Sequence, residues 1–204
     1  ADGPWGLDYV AAETTIGDYQ ITNTPTTVAS DAYAIERNVQ VNGQVLGTLN
    51  IFRNMLPGEL TFDATDYEAV GFSIQNSLPI EVILVTENTT DWNNRLRFQI
   101  PAHTNATETT IAFSDFTNSL GAHFNNEKIK GFVFSIRGNY SAFQPFSTNI
   151  SNLVLKSTTA LGSVGFENVT SSKLYNYPNP CQGATTLVLP VQTSKASVQI
   201  IDLT

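Results

Sequence analysis

Apolar and polar residues alternate with a period of two along most of the chain, which is typical of β-strands with one buried face. Residues 32–41 alternate in this way, and the pattern resumes over residues 44–53. Between these two segments stands Asn42-Gly43, a pair that favours the type I′ turn of a tight hairpin. The sequence therefore predicts a hairpin of strands 32–41 and 44–53.

Further short strands are predicted downstream, each bounded by turn residues. They cover residues 60–63, 70–75, 81–86, 95–101, 109–113, 132–137 and 150–155. A short helix or turn is expected at 114–120, with Ser114 as its N-cap. About ten strands without a long helix predict an all-β fold, an antiparallel β-sandwich of the jelly-roll type. The start of a second, Ig-like β domain follows.

The pattern weakens over residues 157–172, which are small, polar and typical of a linker. The chain thus divides into a jelly-roll module at 1–156, a linker at 157–172 and the start of another domain at 173–204. About thirty residues cannot bury a core alone, so we expect this second domain to be truncated. Since the chain opens at Ala1-Asp2-Gly3, we expect a piece of a larger protein, with a catalytic domain upstream.

Composition and charge exclude several classes of function. The 204-residue chain has a formal net charge of −8, whereas nucleic-acid binding requires a basic surface. Nucleic acid is therefore not an expected partner, and the sequence has no apolar run of ~18 residues that would span a membrane. The single cysteine, Cys181, and two well-separated histidines predict neither an internal disulfide nor a zinc site.

Three motifs near the C-terminus stand in a recognisable order. They are Leu-Tyr-Asn-Tyr-Pro-Asn-Pro at 174–180, Ala-Thr-Thr-Leu-Val-Leu-Pro at 184–190 and Val-Gln-Ile-Ile-Asp-Leu-Thr at 198–204. Together they resemble the C-terminal sorting domain (type A) of the bacterial type IX secretion system. The resemblance implies secretion or cell-surface attachment, with the type IX machinery as a partner. Cys181 stands where the family pattern often has Phe, and the family domain continues beyond Thr204.

Residues ~5–156 more weakly resemble jelly-roll modules of the galactose-binding-like type, close to family 11 carbohydrate-binding modules. The segments that carry the resemblance are 60–64, 70–74, Trp92 before the strand 95–101, 111–116, 129–134 and 150–155. The resemblance implies a non-catalytic module that binds a polysaccharide. Modules of this kind often hold a structural Ca²⁺, but Ser151 replaces the closing Asp of the family, so no cofactor is predicted and calcium is left as an open alternative. Its oxygen ligands would then come from elsewhere, with Asp8, Glu13, Asp31 and Asn149 as the candidates.

Outward-facing positions of three predicted strands suggest where a ligand binds. If these strands share one sheet, their outer face carries three arginines and two glutamines. Arginine offers a planar fork of donors for paired hydroxyls or carboxylates, and neighbouring aromatic rings stack on sugar rings. The predicted ligand-binding residues are Arg95, Arg97, Arg137, Gln75, Gln99, Trp92 and Tyr140. A second interpretation stays open, in which the arginines pair with acidic residues on a solvated face.

The sequence thus predicts a polysaccharide-binding module of a larger secreted, carbohydrate-degrading bacterial protein, with a hydroxyl-rich or anionic glycan as ligand. The alternative is a structural or adhesive β-sandwich that supports a neighbouring catalytic domain, such as a peptidase, without binding sugar. Asp63 and Asp66 are close enough in sequence to suggest a glycosidase pair. Both fall at a turn after a short strand, so no catalytic residue is predicted.

Overall fold

The computed structural model describes residues 3–25, 34–157, 175–177 and 186–188. The chain separates into two compact units, Ala1–Thr158 and Thr159–Thr204. The described part of the first unit holds ten strands and three short 3₁₀ helices, and every pairing between those strands is antiparallel. None of the described helices is long and apolar enough to cross a membrane.

Two five-stranded sheets form the first unit. The first sheet has the order β1-β4-β9-β6-β7 and the second has the order β2-β3-β10-β5-β8. The predicted all-β antiparallel sandwich is therefore confirmed. The strands are β1 Trp5–Tyr9, β2 Thr14–Pro25, β3 Ala34–Val45, β4 Thr48–Asn54, β5 Ala69–Asn76, β6 Ile80–Thr86, β7 Leu96–Ile100, β8 His103–Ala112, β9 Ile129–Arg137 and β10 Gln144–Lys156. The 3₁₀ helices are Pro57–Glu59, Trp92–Asn94 and Phe113–Asp115.

The core lies between the two sheets, where the apolar sides of the alternating strands meet. Phe72 of the second sheet meets Phe134 of the first edge to face, with ring centroids 5.2 Å apart and an interplanar angle of 90°. Both rings are buried. Edge-to-face pairs of this kind contribute about 0.5–1.5 kcal/mol beyond the area that they bury, so this contact helps to hold the sheets together.

The predicted hairpin of strands 32–41 and 44–53 is wrong. Strand β3 continues through Asn42-Gly43 to Val45, and β4, which begins at Thr48, belongs to the other sheet. Gly43 serves a close approach instead of a turn, because a Cβ there would lie 2.0 Å from the Thr15 carbonyl oxygen. The chain therefore crosses from one sheet to the other at residues 46–47, just after the pair that suggested a hairpin.

Other boundaries also differ from the sequence predictions. Residues 60–63 form no strand, only an isolated bridge between Phe62 and Ile129. Ala112, not Ser114, occupies the N-cap of the 3₁₀ helix Phe113–Asp115, and it makes no side-chain capping bond. Strands β1 and β2 were not predicted. They give each sheet an additional edge strand.

The second unit contains two described strands, β11 (Tyr175–Tyr177) and β12 (Thr186–Val188), which pair antiparallel. They fall within two of the three C-terminal motifs. The Pro-Asn-Pro turn, the predicted strand at 197–203 and most of the predicted linker lie outside the described residues. The Ig-like fold of this second domain, its truncation and its boundary at 173 stay predictions.

The buried side-chain amide of Asn76 links the two sheets where the chain crosses from β5 to β6. The Asn76 side chain, at the end of β5, is fully buried. Its Nδ2 donates to the Leu78 carbonyl (2.7 Å) in the crossing connection and to the Pro101 carbonyl (3.0 Å) after β7. One side chain thus ties the end of a second-sheet strand to the end of a first-sheet strand.

Replacing Asn76 with Asp should destabilise the first unit by about 3 kcal/mol or more, because a buried carboxylate would then face two carbonyl oxygens without donors. Urea denaturation of the two proteins measures the difference. The matched control is Asn149→Asp, the same chemical change at an exposed position of β10, which should shift stability by no more than about 0.5 kcal/mol. Equal midpoints for the two variants would contradict this role of Asn76.

Candidate functional site

The side of the first sheet that faces away from the core is determined by alternation along β9. Phe132, Phe134 and Ile136 point into the core and are fully buried, so Val133 and Arg137 point to the opposite side. The strand register then determines which residues of β1, β4, β6 and β7 lie beside them. We call this side of the first sheet the outer face.

Two cross-strand rows define the outer face. One row is polar and runs through Asp8, Asn50, Ser135, Glu81 and Gln99. The adjacent row is largely apolar and runs through Phe52, Val133, Ile83 and Arg97. A hydrogen-bonding row therefore borders an apolar row along the whole width of the sheet.

A tryptophan stands at one corner of the outer face, supported by two arginines. Trp92 begins a 3₁₀ turn that Asp91 caps by accepting a hydrogen bond from the Asn93 backbone N–H at 3.0 Å. The guanidinium carbons of Arg95 and Arg97 lie 4.8 and 5.3 Å from the centre of the Trp92 ring. Trp92 is 37% exposed, so these cation–π contacts hold the side chain in place while leaving part of the residue accessible.

The two arginines differ in their remaining contacts. Arg97 donates to a Glu81 carboxylate oxygen and to the Trp92 carbonyl, each at 2.5 Å, and Gln99 Nε2 donates to the other Glu81 oxygen at 2.8 Å. Arg95 has no carboxylate partner in the part of the chain that is described, and its buried Nε has no hydrogen-bond partner there. Burial lowers the pKa of Arg95, and the nearby charge of Arg97 lowers it further. Arg97 is thus satisfied within the protein and Arg95 is not.

An open groove of about 320 Å³ begins at this corner and extends across the outer face. Asp8, Phe52, Trp92, Arg95 and Lys130 are among the residues that line it. The Phe52 ring lies across Gly6, where an added Cβ would be 2.2 Å from the ring. Gly6 therefore leaves the space that this ring occupies. A smaller depression of about 170 Å³ lies further along the same face, lined by Pro79, Glu81, Gln99, Ser135 and Arg137.

Tyr140 lies at the Arg137 end of the outer face. Its hydroxyl is 2.9 Å from Thr48 Oγ1, and Thr48 is paired with Arg137 across β4 and β9. The backbone of Tyr140 is in the left-handed region (φ 57°) and its side chain is 59% exposed. The side chain of Asn139 supports this loop by accepting from the backbone N–H groups of Ser141 and Ala142, both at 2.9 Å.

The structure brings most of the predicted ligand residues to one side of the molecule. Arg95, Arg97, Arg137, Gln99, Trp92 and Tyr140 all lie on or beside the outer face. The expectation that Gln75 joins them is wrong, because β5 belongs to the second sheet. Gln75 there donates to the Thr104 carbonyl at 2.8 Å and ends a cross-strand row of amides that also contains Gln20, Gln40 and Asn149.

The groove is also lined by Asp8, Asn50, Phe52 and Lys130, none of which is among the predicted ligand-binding residues. Phe52 and Asn50 alternate within a segment that was predicted as a strand, but the predicted hairpin assigned that strand to the wrong neighbour. The solvated-face interpretation accounts for Arg97, which pairs with Glu81. It does not account for Arg95 or Arg137, since neither has a carboxylate partner among the residues that the structure describes.

The structure also shows the surroundings of the carboxylate considered for glycoside cleavage and of the residues considered for calcium binding. Asp63 is exposed and accepts hydrogen bonds from the backbone N–H (3.0 Å) and hydroxyl (2.5 Å) of Thr65, which lower its pKa. A glycosidase acid needs the opposite shift. Across residues 3–25 and 34–157, no three His, Cys, Asp or Glu side chains converge as metal ligands. Asp8 and Asn149 lie in different sheets, and Asp31 is not described, so the calcium alternative stays untested.

The sandwich is similar in fold to several solved carbohydrate-binding structures. A family 11 carbohydrate-binding module of the cellulosomal cellulase Lic26A-Cel5E of Clostridium thermocellum has a TM-score of 0.46 at 13% identity, covering 75% of this chain and 87% of that one. A family 30 module of cellulase Cel9D-Cel44B, also from Clostridium thermocellum, has a TM-score of 0.47 at 14% identity, covering 78% and 92%.

An exo-β-agarase has a TM-score of 0.48 at 9% identity, covering 74% of this chain and 24% of that one. No protein-family model and no curated protein sequence matches. The likeness of the C-terminal motifs to a sorting domain finds no support in these comparisons and stays a prediction. At such low identities, ligand specificity does not carry over from these structures to this chain.

The exposure of Trp92 can be measured directly, because the chain has only one other tryptophan, Trp5, which is 5% exposed. In the wild-type protein, acrylamide should quench an accessible fraction of the fluorescence, from Trp92, and leave a shielded fraction, from Trp5. Trp92→Phe should retain only the shielded fraction, with emission shifted to the blue. Tyr140→Phe, which keeps both tryptophans, should behave as wild type. Trp92→Phe fluorescence that is quenched as readily as wild type would contradict the described corner.

Proposed function

We propose that the first unit binds a polysaccharide on its outer face and acts as a non-catalytic module. The observation that carries this proposal is one open face that combines accessible aromatic rings with hydrogen-bonding side chains that have room for a ligand. Trp92 supplies a ring at one end of the face, Tyr140 at the other, and Phe52 lies along the groove. Sugar polymers present the same two chemistries, apolar C–H faces and hydroxyl edges.

The stacking contribution comes from the aromatic residues. Each ring stacked on a sugar contributes about 0.5–1.5 kcal/mol beyond the area that it buries. Trp92 suits this role because its turn, its cap and two guanidiniums already hold the ring, so little ordering entropy is lost on binding. Phe52 is likewise held in position over Gly6.

Polar side chains provide the hydrogen bonds. Asn50, Gln99 and Ser135 lie in one row with Glu81, and Arg137 lines the adjacent depression. The span from Gly131 to Arg137 along β9 is about 20 Å at the usual strand rise. An extended oligosaccharide lying along this strand would contact both aromatic ends of the face. Binding would thus be the sum of many weak contacts on a preformed surface.

In this proposal the module belongs to a larger secreted, carbohydrate-degrading bacterial protein. Binding to the polymer raises the effective concentration of an attached enzyme at its substrate. The export part of the proposal rests on the three C-terminal motifs alone, and it places the protein outside the cell or on its surface.

Retention in native gels that contain a polysaccharide tests the binding. We expect the chain to be retarded by at least one polymer in a panel of neutral and anionic glycans. Trp92→Ala should weaken that binding by about tenfold or more, the effect of one lost stacking contact together with its supporting arginines. The control is Gln75→Ala, a change on the opposite sheet, which should leave the retardation unchanged.

The same gels separate the alternatives. No retardation across the panel would overturn the proposal. If co-expression with an upstream domain then raised the melting temperature of the chain, the structural spacer would be favoured. Loss of retardation in Gln75→Ala but not in Trp92→Ala would move the site to the second sheet.

The export proposal is tested in the full-length protein in its bacterial host. Replacing Pro178 and Pro180 with Ala removes the fixed backbone angles of the Pro-Asn-Pro turn, and we expect the protein to accumulate inside the cell. Immunoblots of medium and cell fractions measure the distribution, with Gln75→Ala as the control. Unchanged release of the double variant would argue against a sorting role for this motif.

A further inference from the structure

Some charged side chains on the outer face are paired with a partner in the protein, whereas others are not. Arg97, Glu81 and Gln99 form a closed cluster in which the cation, the carboxylate and the amide satisfy one another. Asp8, at another part of the groove, accepts from Asn50 Nδ2 at 3.3 Å. The Trp92 corner differs from both, because its carboxylate, Asp91, accepts hydrogen bonds from the Asn93 N–H and from Asn94 Nδ2, both at 3.0 Å, and forms no ion pair with an arginine or lysine in the described part of the chain.

Arg95 is the main source of positive charge at this corner. The carbon of its guanidinium lies 4.8 Å from the centre of the Trp92 ring. Nε is buried and has no hydrogen-bond partner in residues 3–25 or 34–157. A half-buried guanidinium with one buried, unpaired N–H is a cost to the free protein. An oxyanion in the groove would stabilise this charge through the remaining N–H groups of Arg95.

A second cation, Lys130, lines the same groove at an irregularity in β9. Val85 pairs with Gly131 and Thr86 with Ile129, which leaves Lys130 as an extra residue, a β-bulge. Bulges change the direction of side chains at functional edges, and Lys130 is among the residues that line the groove. It has no carboxylate partner in the described part of the chain. Gly131 next to it permits the close approach of β4, because an added Cβ would lie 2.3 Å from the Arg53 carbonyl oxygen.

These features favour an anion over a neutral hydroxyl as the group that binds at this corner. Both guanidiniums lie against the Trp92 ring, and the charge of Arg97 disfavours the charged form of Arg95 even though Glu81 pairs with Arg97. A negative ligand would offset this repulsion, whereas a hydroxyl would not. The chain as a whole has a net charge of −8, so its long-range field does not attract anions. Any preference for an anionic glycan must then come from a local site.

We propose that the corner formed by Trp92, Arg95 and Lys130 is a subsite for an oxyanion on the polysaccharide, either a uronate carboxylate or a sulfate ester. The sugar ring that carries the oxyanion stacks on Trp92, and the guanidinium of Arg95 donates to the oxyanion. Such charge-assisted hydrogen bonds are about twice as strong as neutral ones. This inference rests on the proposed polysaccharide binding and names the substrate class of the same face.

Matched pairs of polymers test the subsite in the intact chain. Polygalacturonate and its fully methyl-esterified form share one backbone and differ in the carboxylate. Carrageenan and its chemically desulfated form differ in the sulfate. We expect the wild-type chain to bind the charged member of one pair about tenfold more tightly than the neutral member. Which pair responds identifies the oxyanion.

Two substitutions assign the preference to this corner. Arg95→Gln should reduce the preference to about twofold or less, and Lys130→Gln should reduce it in part while leaving the Trp92 contact intact. The control Arg37→Gln changes the net charge equally, but its exposed side chain belongs to β3 of the second sheet, and it should keep the full preference. Melting curves of the variants exclude unfolding as the cause.

The outcomes separate this inference from the broader proposal. Binding of neutral polymers without preference for any charged partner would overturn the oxyanion subsite and leave polysaccharide binding intact. A preference that persists in both Arg95→Gln and Lys130→Gln would also overturn it, since the anion would then bind elsewhere. Absence of binding to all four polymers and to neutral β-glucan would instead count against the proposed function itself.

Discussion

The contact between Phe72 and Phe134 across the two sheets determines what the rest of the molecule can present to solvent. Strand residues alternate between two sides, so burying one aromatic ring of β9 commits every second residue of that strand to the core. The register carries the same division to β4, β6 and β7. The outer face with its groove is therefore a consequence of the core, and its residues cannot be turned inward one at a time.

Alternation within one strand was readable from the sequence, whereas the partner of each strand was not. The inward residues of β7 and β9 were predicted correctly because each strand carries its own period. Gln75 was placed on the wrong side because sheet membership depends on contacts between residues far apart in sequence. Asn42-Gly43 shows the same limit. Glycine is needed wherever the backbone approaches closely as well as in turns, and here it meets Thr15 across β2.

Some features of the candidate site can likewise be predicted from the sequence, whereas others depend on how the strands pair. Trp92 and Arg95 lie three residues apart in sequence, so their proximity was predictable from the short turn that joins them. The sequence does not predict that Arg97 has a carboxylate partner and that Arg95 has none among the residues described. This difference depends on Glu81, which β6 places beside β7. Residues of β1 and β4 complete the groove only once their strands are placed next to β9. Long-range pairing thus decides which of the two arginines is satisfied within the protein and which is not.

The loop that follows the third 3₁₀ helix also protects the edge beside Trp92. Thr117 pairs with Arg97, its N–H donating to the Arg97 carbonyl at 3.2 Å and its carbonyl accepting from the Arg97 N–H at 2.8 Å. Exposed strand edges invite pairing with other chains. With both outward backbone groups of Arg97 engaged, a neighbouring copy finds no backbone to pair with at this point. At Arg97 the first sheet is therefore closed to the addition of a further strand.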